Sequence, residues 1–196
     1  CIRDSVLSFV NNYLGLLSIS YFTKTISGMI FNSGRRVVSN PSEYGLPGYT
    51  YFYMIEDYKT NNPYDVLLNG FEIDYQTRFW YLPKLLMGLV FNCNYTRTSS
   101  KVKYPITIID HEIIFEPYLQ VTTSNVDTFY VDRLLDQPKD IINYSIGYDY
   151  SGFSGRISMN YISNIFSGTN FWPELRQDTD AYQRYDLSLK QKLPVK

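Results

Sequence analysis

The feature that most constrains this chain is a side-chain alternation of period two. Between Gly70 and Phe79, the residues Phe71, Ile73, Tyr75 and Phe79 oppose Glu72, Asp74, Gln76 and Arg78. Met87, Leu89, Phe91, Cys93 and Tyr95 oppose Gly88, Val90, Asn92 and Asn94. Ile142, Tyr144, Ile146, Tyr148 and Tyr150 oppose Asn143, Ser145, Gly147 and Asp149. From Phe153 to Ile165, Phe153, Ile157, Met159, Tyr161 and Ile165 oppose Ser154, Arg156, Ser158, Asn160 and Asn164, and near the end Tyr185, Leu187 and Leu189 oppose Arg184, Asp186, Ser188 and Lys190. Residues two apart share one face of a strand, so each segment predicts a strand with one apolar and one polar face. Leu17, Ile19 and Tyr21 begin another that blurs toward Phe31, and Ile2 to Val10 reads as a partial strand, giving about seven strands. Composition points the same way. The single Ala among 20 Tyr and 12 Phe leaves little helix-forming material and much that favours sheet.

Other classes drop out on elementary grounds. A net charge of −1 provides no basic footprint for nucleic acid. A hydrophobic content of 44% is too high for a disordered chain. No apolar run approaches the ~20 residues of a membrane-spanning helix, which leaves a β-barrel as the membrane option. Two cysteines make no disulfide framework: Cys93 reads as a small apolar filler in a strand. Cys1 has the position of a lipidated cysteine, but the chain opens mid-strand and is expected to be a fragment.

The connections alternate in length. Short turns are expected at Asn11-Asn12, Leu82-Pro83-Lys84 and Ser151-Gly152, and long connections at about 33–62, 102–138 and 167–178. Short turns at one end and long loops at the other are the pattern of outer-membrane barrels. The polar face mixes Asn, Ser, Thr and Gly with a few charges of both signs, which suits a watery lumen. The apolar face carries Tyr21, Tyr95, Tyr144, Tyr148, Tyr150 and Tyr161, expected near strand ends where an interfacial girdle would lie. The expected fold is therefore all-β: an antiparallel up-and-down transmembrane barrel segment, residues 1–196 forming one partial barrel domain. An odd strand count leaves edges that further strands would close.

The lumen-facing candidates are Glu72, Asp74, Arg78, Asn92, Asn94, Asn143, Asp149, Arg156, Asn160, Arg184 and Asp186. Among the loop aromatics, Tyr44, Tyr49, Tyr51, Tyr53 and Trp172 are candidates to stack on a ligand, with Phe52 and Tyr58 beside them. Packing over a barrel mouth is the alternative for the same rings. Phe79, Trp80 and Tyr81 read as interfacial anchors. The only histidine, His111, is expected in a long loop between Asp110 and Glu112, where it reads as a solvated residue. No metal-ligand spacing, phosphate loop or catalytic constellation is found, so neither cofactor nor bond chemistry is expected.

The stretch Gly70–Pro83, with the following Gly88–Thr96, resembles a strand, periplasmic turn and strand of TonB-dependent outer-membrane receptors of the Bacteroidetes type. Leu134–Pro138 leading into Ile146–Tyr150, Asn164–Phe166, Asn170–Pro173 and Asp186–Gln191 fit the same family. The resemblance spans nearly the whole chain and is most specific at Phe79–Pro83. It implies a segment of a 22-stranded barrel filled by a plug domain, in a bacterial outer membrane. It further implies import of a scarce large solute (siderophore, cobalamin or glycan) driven by the TonB–ExbB–ExbD complex. Nothing matching the plug or the TonB box is found in these residues. A smaller outer-membrane barrel acting as pore or adhesin, and a soluble β-barrel or sandwich that binds a ligand, stay open as alternatives.

Overall fold

Strands take up most of the chain. The computed structural model describes residues 2–32, 34–38, 40–47, 53–115, 117–170 and 172–193. In chain order the strands are β1 (Ile2–Asn11), β2 (Gly15–Ile26), β3 (Ile30–Asn32), β4 (Arg35–Val37), β5 (Met54–Glu56), β6 (Lys59–Asn61), β7 (Val66–Arg78), β8 (Leu89–Ile114), β9 (Gln120–Asp132), β10 (Asp140–Tyr150), β11 (Phe153–Ile162), β12 (Ile165–Gly168), β13 (Gln177–Thr179) and β14 (Tyr182–Gln191). Short 3-10 turns lie at Pro41–Tyr44, Lys84–Gly88 and Pro173–Leu175. One antiparallel meander runs β1-β2-β7-β8-β10-β11-β14, with β9 paired to the far half of β8. The all-β, antiparallel expectation holds. Among the described residues the sheet is open: β1 pairs only with β2, and β14 only with β11.

All three short turns fall at one end of this sheet. At Ser151-Gly152 both residues have positive φ (48° and 80°), the type I′ geometry whose twist matches that of the flanking strands. The expected long connection at 102–138 is corrected. Most of it is a β-hairpin, because β8 runs on to Ile114 and pairs with β9 from Val102↔Asp132 to Ile114↔Gln120. His111 accordingly lies in a strand, exposed, its Nδ1 3.3 Å from Thr123 Oγ1.

The register steps evenly across the sheet. Asn11↔Gly15 closes the first turn beside the row of Thr77, Phe91 and Ile146. The β7–β8 turn reaches two residues lower, where the Phe79 N–H donates to Leu89 O, and the β10–β11 turn lower again at Tyr150↔Phe153. One residue of step per strand, with ~3.3 Å rise and ~4.8 Å strand spacing, tilts the strands by about 35° against the line of turns. The first hairpin is left short, and the β7–β8 turn folds over its end. Trp80 stacks on Tyr13 (5.6 Å between centroids) and its Nε1 donates to Asn12 O (2.9 Å).

The register carries each strand's apolar face into continuous rows. One row is Leu7, Ile19, Ile73, Tyr95, Ile142 and Tyr161; the next is Phe9, Leu17, Tyr75, Cys93, Tyr144, Met159 and Tyr185; the next Phe91, Ile146, Ile157 and Leu187. No second layer of described residues covers them: Ile146 is 51% exposed, Ile157 55% and Leu187 67%. Tyr148 and Tyr150 stand toward the short-turn end and Tyr21, Tyr95 and Tyr161 toward the other. Tyr144 sits in a middle row, so the expected strand-end position does not hold for it.

Toward the long-loop end the two faces exchange character. On β7 the positions that continue the polar face of Glu72 and Asp74 are Gly70, Leu68 and Val66, the last two buried. On β8 they are Val102 and Tyr104, both fully buried. The positions that continue the apolar face become Asn69 and then the half-exposed Leu67 on β7, and Arg97, Ser99, Lys101 and Lys103 on β8. Phe31, Val66, Val102, Tyr104 and Phe166 form the buried core, drawn from all three long connections and the strand ends they leave. We call this assembly the cap. Arg36 pairs with Asp127 (3.2 Å), Arg133 with Asp178 and Arg176 with Asp132, tying the small β4–β5 and β12–β13 ladders to the β8–β9 hairpin.

Gly70 marks the change of character on β7. A Cβ there would lie 2.4 Å from Arg97 O and 2.6 Å from Phe22 Cζ. Gly70→Ala forces backbone and ring apart, and is expected to lower stability by about 1–3 kcal/mol, read as the shift in denaturant midpoint.

Candidate functional site

Alternation puts every second residue of a strand on the same face, and the register aligns these residues across strands. All eleven polar candidates fall on one face of the meander: Glu72, Asp74 and Arg78 on β7, Asn92 and Asn94 on β8, Asn143 and Asp149 on β10, Arg156 and Asn160 on β11, Arg184 and Asp186 on β14. Asp74, Asn94, Asn143, Asn160 and Arg184 stand in a single row across five strands. Gln76, Asn92, Ser145, Ser158 and Asp186 form the row beside it. Between these rows lies an open cleft of about 330 Å³.

The groups along it are largely engaged with one another. Asn94 Nδ2 donates to Glu72 Oε1 (2.8 Å), Gln76 Nε2 to Asp74 Oδ1 (3.1 Å), Asn92 Nδ2 to Ser145 Oγ (3.2 Å), and Asn160 Nδ2 to Asn143 Oδ1. Arg184 Nε donates to Asp186 Oδ2 (3.0 Å), and Arg156 lies 3.5 Å from Asp149, which also accepts from Ser154 Oγ (2.6 Å). Each amide keeps a further donor or acceptor site beyond these bonds. The surface can therefore exchange hydrogen bonds with water or a polar solute. Among the described residues it brings together no three metal-ligating side chains.

The loop aromatics are not assembled in the same way. Tyr49, Tyr51 and Phe52 lie outside the described residues, and Tyr44 ends the 3-10 turn Pro41–Tyr44. Tyr53 is half-buried and its carbonyl accepts from the Val38 N–H (2.9 Å). Trp172 is exposed, its backbone N–H donating to Asn170 Oδ1 (3.0 Å). Tyr58 lines a second cleft, of about 460 Å³, between the first long connection and the β8–β9 hairpin. Tyr64, Phe129, Arg36, Thr107 and Asp127 line it too. Tyr64 and Phe129 carry no distinctive pattern in the sequence. Phe129 stands in the consecutive apolar run Phe129-Tyr130-Val131, which shows no period of two, inside the expected connection 102–138, and Tyr64 follows the turn formers Asn61-Asn62-Pro63.

In the cap, burial pushes the Tyr104 hydroxyl well above its ordinary value, and burial with the nearby Asp132 carboxylate raises Tyr130 to about 12. Both hydroxyls therefore stay protonated at neutral pH. Comparison with protein families, with curated proteins and with solved structures finds no match.

Proposed function

We propose that this chain forms part of the wall of a bacterial outer-membrane barrel of the TonB-dependent receptor type. In this reading the apolar rows meet lipid and the polar face lines an aqueous lumen. The cap lies over the outer mouth, where a scarce large solute is bound before import. The observation that carries the reading is the exchange of faces along β7 and β8. A sheet standing wholly in water keeps its apolar side against a core throughout. A sheet that passes from hydrocarbon into water is apolar outside in its lower part and apolar inside above the membrane.

Two further features support it. The main strands have the roughly 9–11 residues needed to cross a bilayer at a tilt, and a tilt of about 35° is within the range of such barrels. Short turns at one end and a built cap at the other match the periplasmic and external sides. The plug domain and TonB–ExbB–ExbD complex are the partners that the family resemblance implies. The role assigned to this segment is binding and passage, without bond chemistry or a cofactor.

The test uses Cys1→Ser/Cys93→Ser as background, with Ile157→Cys and Ser158→Cys introduced singly and probed in intact outer membranes with a water-soluble maleimide. Ser158→Cys is expected to label, and Ile157→Cys to stay unlabelled until the protein is denatured. Equal labelling at both positions overturns the lipid-facing assignment. Energised uptake is tested separately: loss of the TonB complex abolishes import if the receptor reading is right and leaves it unchanged for a passive pore.

A further inference from the structure

The level at which the faces exchange carries a run of positive charge. On β8 the outward positions above Tyr95 are Arg97, Ser99, Lys101 and Lys103, in a chain whose net charge is −1. Arg97 is already engaged, 3.7 Å from Asp140 and donating to the Tyr95 hydroxyl (3.5 Å). Lys101 is exposed, in register with the half-exposed Leu67. The Lys103 ammonium lies 4.6 Å from the ring centroid of Phe129 and 5.2 Å from that of Tyr64. Ring contacts of this kind hold an ammonium in place without using up its N–H donors. Asp132 also stands at this level, in register with Val102 and paired with Arg176, as does the exposed Asp65 just before Val66.

We propose that Lys101 and Lys103, with Arg97 below them, bind the anionic phosphate groups of lipid headgroups on the long-loop side of the membrane. This inference rests on the barrel reading and adds to it a binding site with a defined chemistry. Two observations carry it. The stripe continues the apolar rows without a break, so a lipid whose chains lie on Phe91, Cys93 and Tyr95 holds its headgroup at Lys101. The charge is also of the sign that such headgroups attract, and lies within a Debye length of them. Two residues apart on one face of β8, Lys101 and Lys103 can each donate to separate oxygens of a headgroup phosphate.

The full chain, purified from membranes, is reconstituted into vesicles of phosphatidylcholine alone or mixed with phosphatidylglycerol. Lipid retained after detergent exchange is then counted by mass spectrometry. Wild type is expected to retain phosphatidylglycerol preferentially, and K101Q/K103Q to reduce that preference by about fivefold per lysine. K101R/K103R is expected to keep it, and high salt to weaken it in wild type. Insertion into both vesicles with no preference, or a preference that K101Q/K103Q leaves intact, overturns the headgroup site while the barrel reading stands. Failure of wild type to float with either vesicle overturns both.

Discussion

Leu187→Lys is expected to destabilise the membrane-inserted protein by about 2–4 kcal/mol, whereas Ser188→Lys, one residue on, stays within about 0.5 kcal/mol. The difference follows from face alone. Leu187 ends the row of Phe91, Ile146 and Ile157, and Ser188 pairs in register with Arg156 on the polar side. Both side chains are exposed in this chain, so loss of packing contributes little to either change. In hydrocarbon, Leu187→Lys places a charge near the middle of the apolar band, where its hydration cannot be replaced. In water, the same substitution is nearly neutral and raises solubility. Equilibrium unfolding from liposomes gives the sign. Two near-zero values, or a gain for Leu187→Lys, would mean that this face meets water.

Much of the sheet was legible because its cause is local. Where one side of a strand meets one medium, period two follows directly, and Phe71–Arg78, Leu89–Tyr95, Ile142–Tyr150 and Tyr185–Lys190 show it with Thr77 and Val90 as the exceptions. The eleven polar candidates share a face for the same reason. The β8–β9 hairpin was missed because its alternation has the opposite phase. Apolar positions run Phe91, Cys93, Tyr95 and then Val102, Tyr104, Ile106, so the pattern slips by one residue within a single unbroken strand. A slip of this kind looks like the end of a strand when each window is read alone, and Pro105 reinforces that impression.

The same slip occurs on β7, from Val66 and Leu68 to Phe71 and Ile73, and on β2, from Leu17, Ile19 and Tyr21 to Phe22 and Ile26. Read together, the three slips mark one level across the sheet, and that level was in principle available from the sequence. The cap core was not. Phe31, Val66, Tyr104 and Phe166 meet only because three connections of unequal length converge, and no local pattern encodes such a meeting.

That convergence makes Tyr104 the residue on which the cap most depends. Its ring stacks on Tyr130 (5.3 Å between centroids) and meets Phe31 and Phe166 edge-on at 5.8 Å and 5.7 Å. Its hydroxyl donates to Arg133 O (2.9 Å) and accepts from the Leu135 N–H (3.0 Å), closing the connection that follows β9. Tyr104→Ala opens a cavity where the three connections meet and is expected to cost the cap about 3–5 kcal/mol. Tyr104→Phe keeps the ring but strands the two backbone partners, and is expected to cost about 2 kcal/mol.

The phenols also set a pH limit on the cap. Burial holds Tyr130 at about 12 and Tyr104 still higher, against an unfolded value of ~10. The neutral form is the one the fold prefers, so its stabilisation is complete below pH ~10 and is lost as pH rises through the folded values. Hydrogen exchange separates the cap from the sheet. In Tyr104→Ala, or in wild type above pH ~10, amides of Leu134, Leu135 and Phe166 are expected to lose protection while those of Asn143–Tyr148 keep theirs. Equal loss in both sets would mean that cap and sheet unfold as one unit, and that the cap core also supports the strands below it.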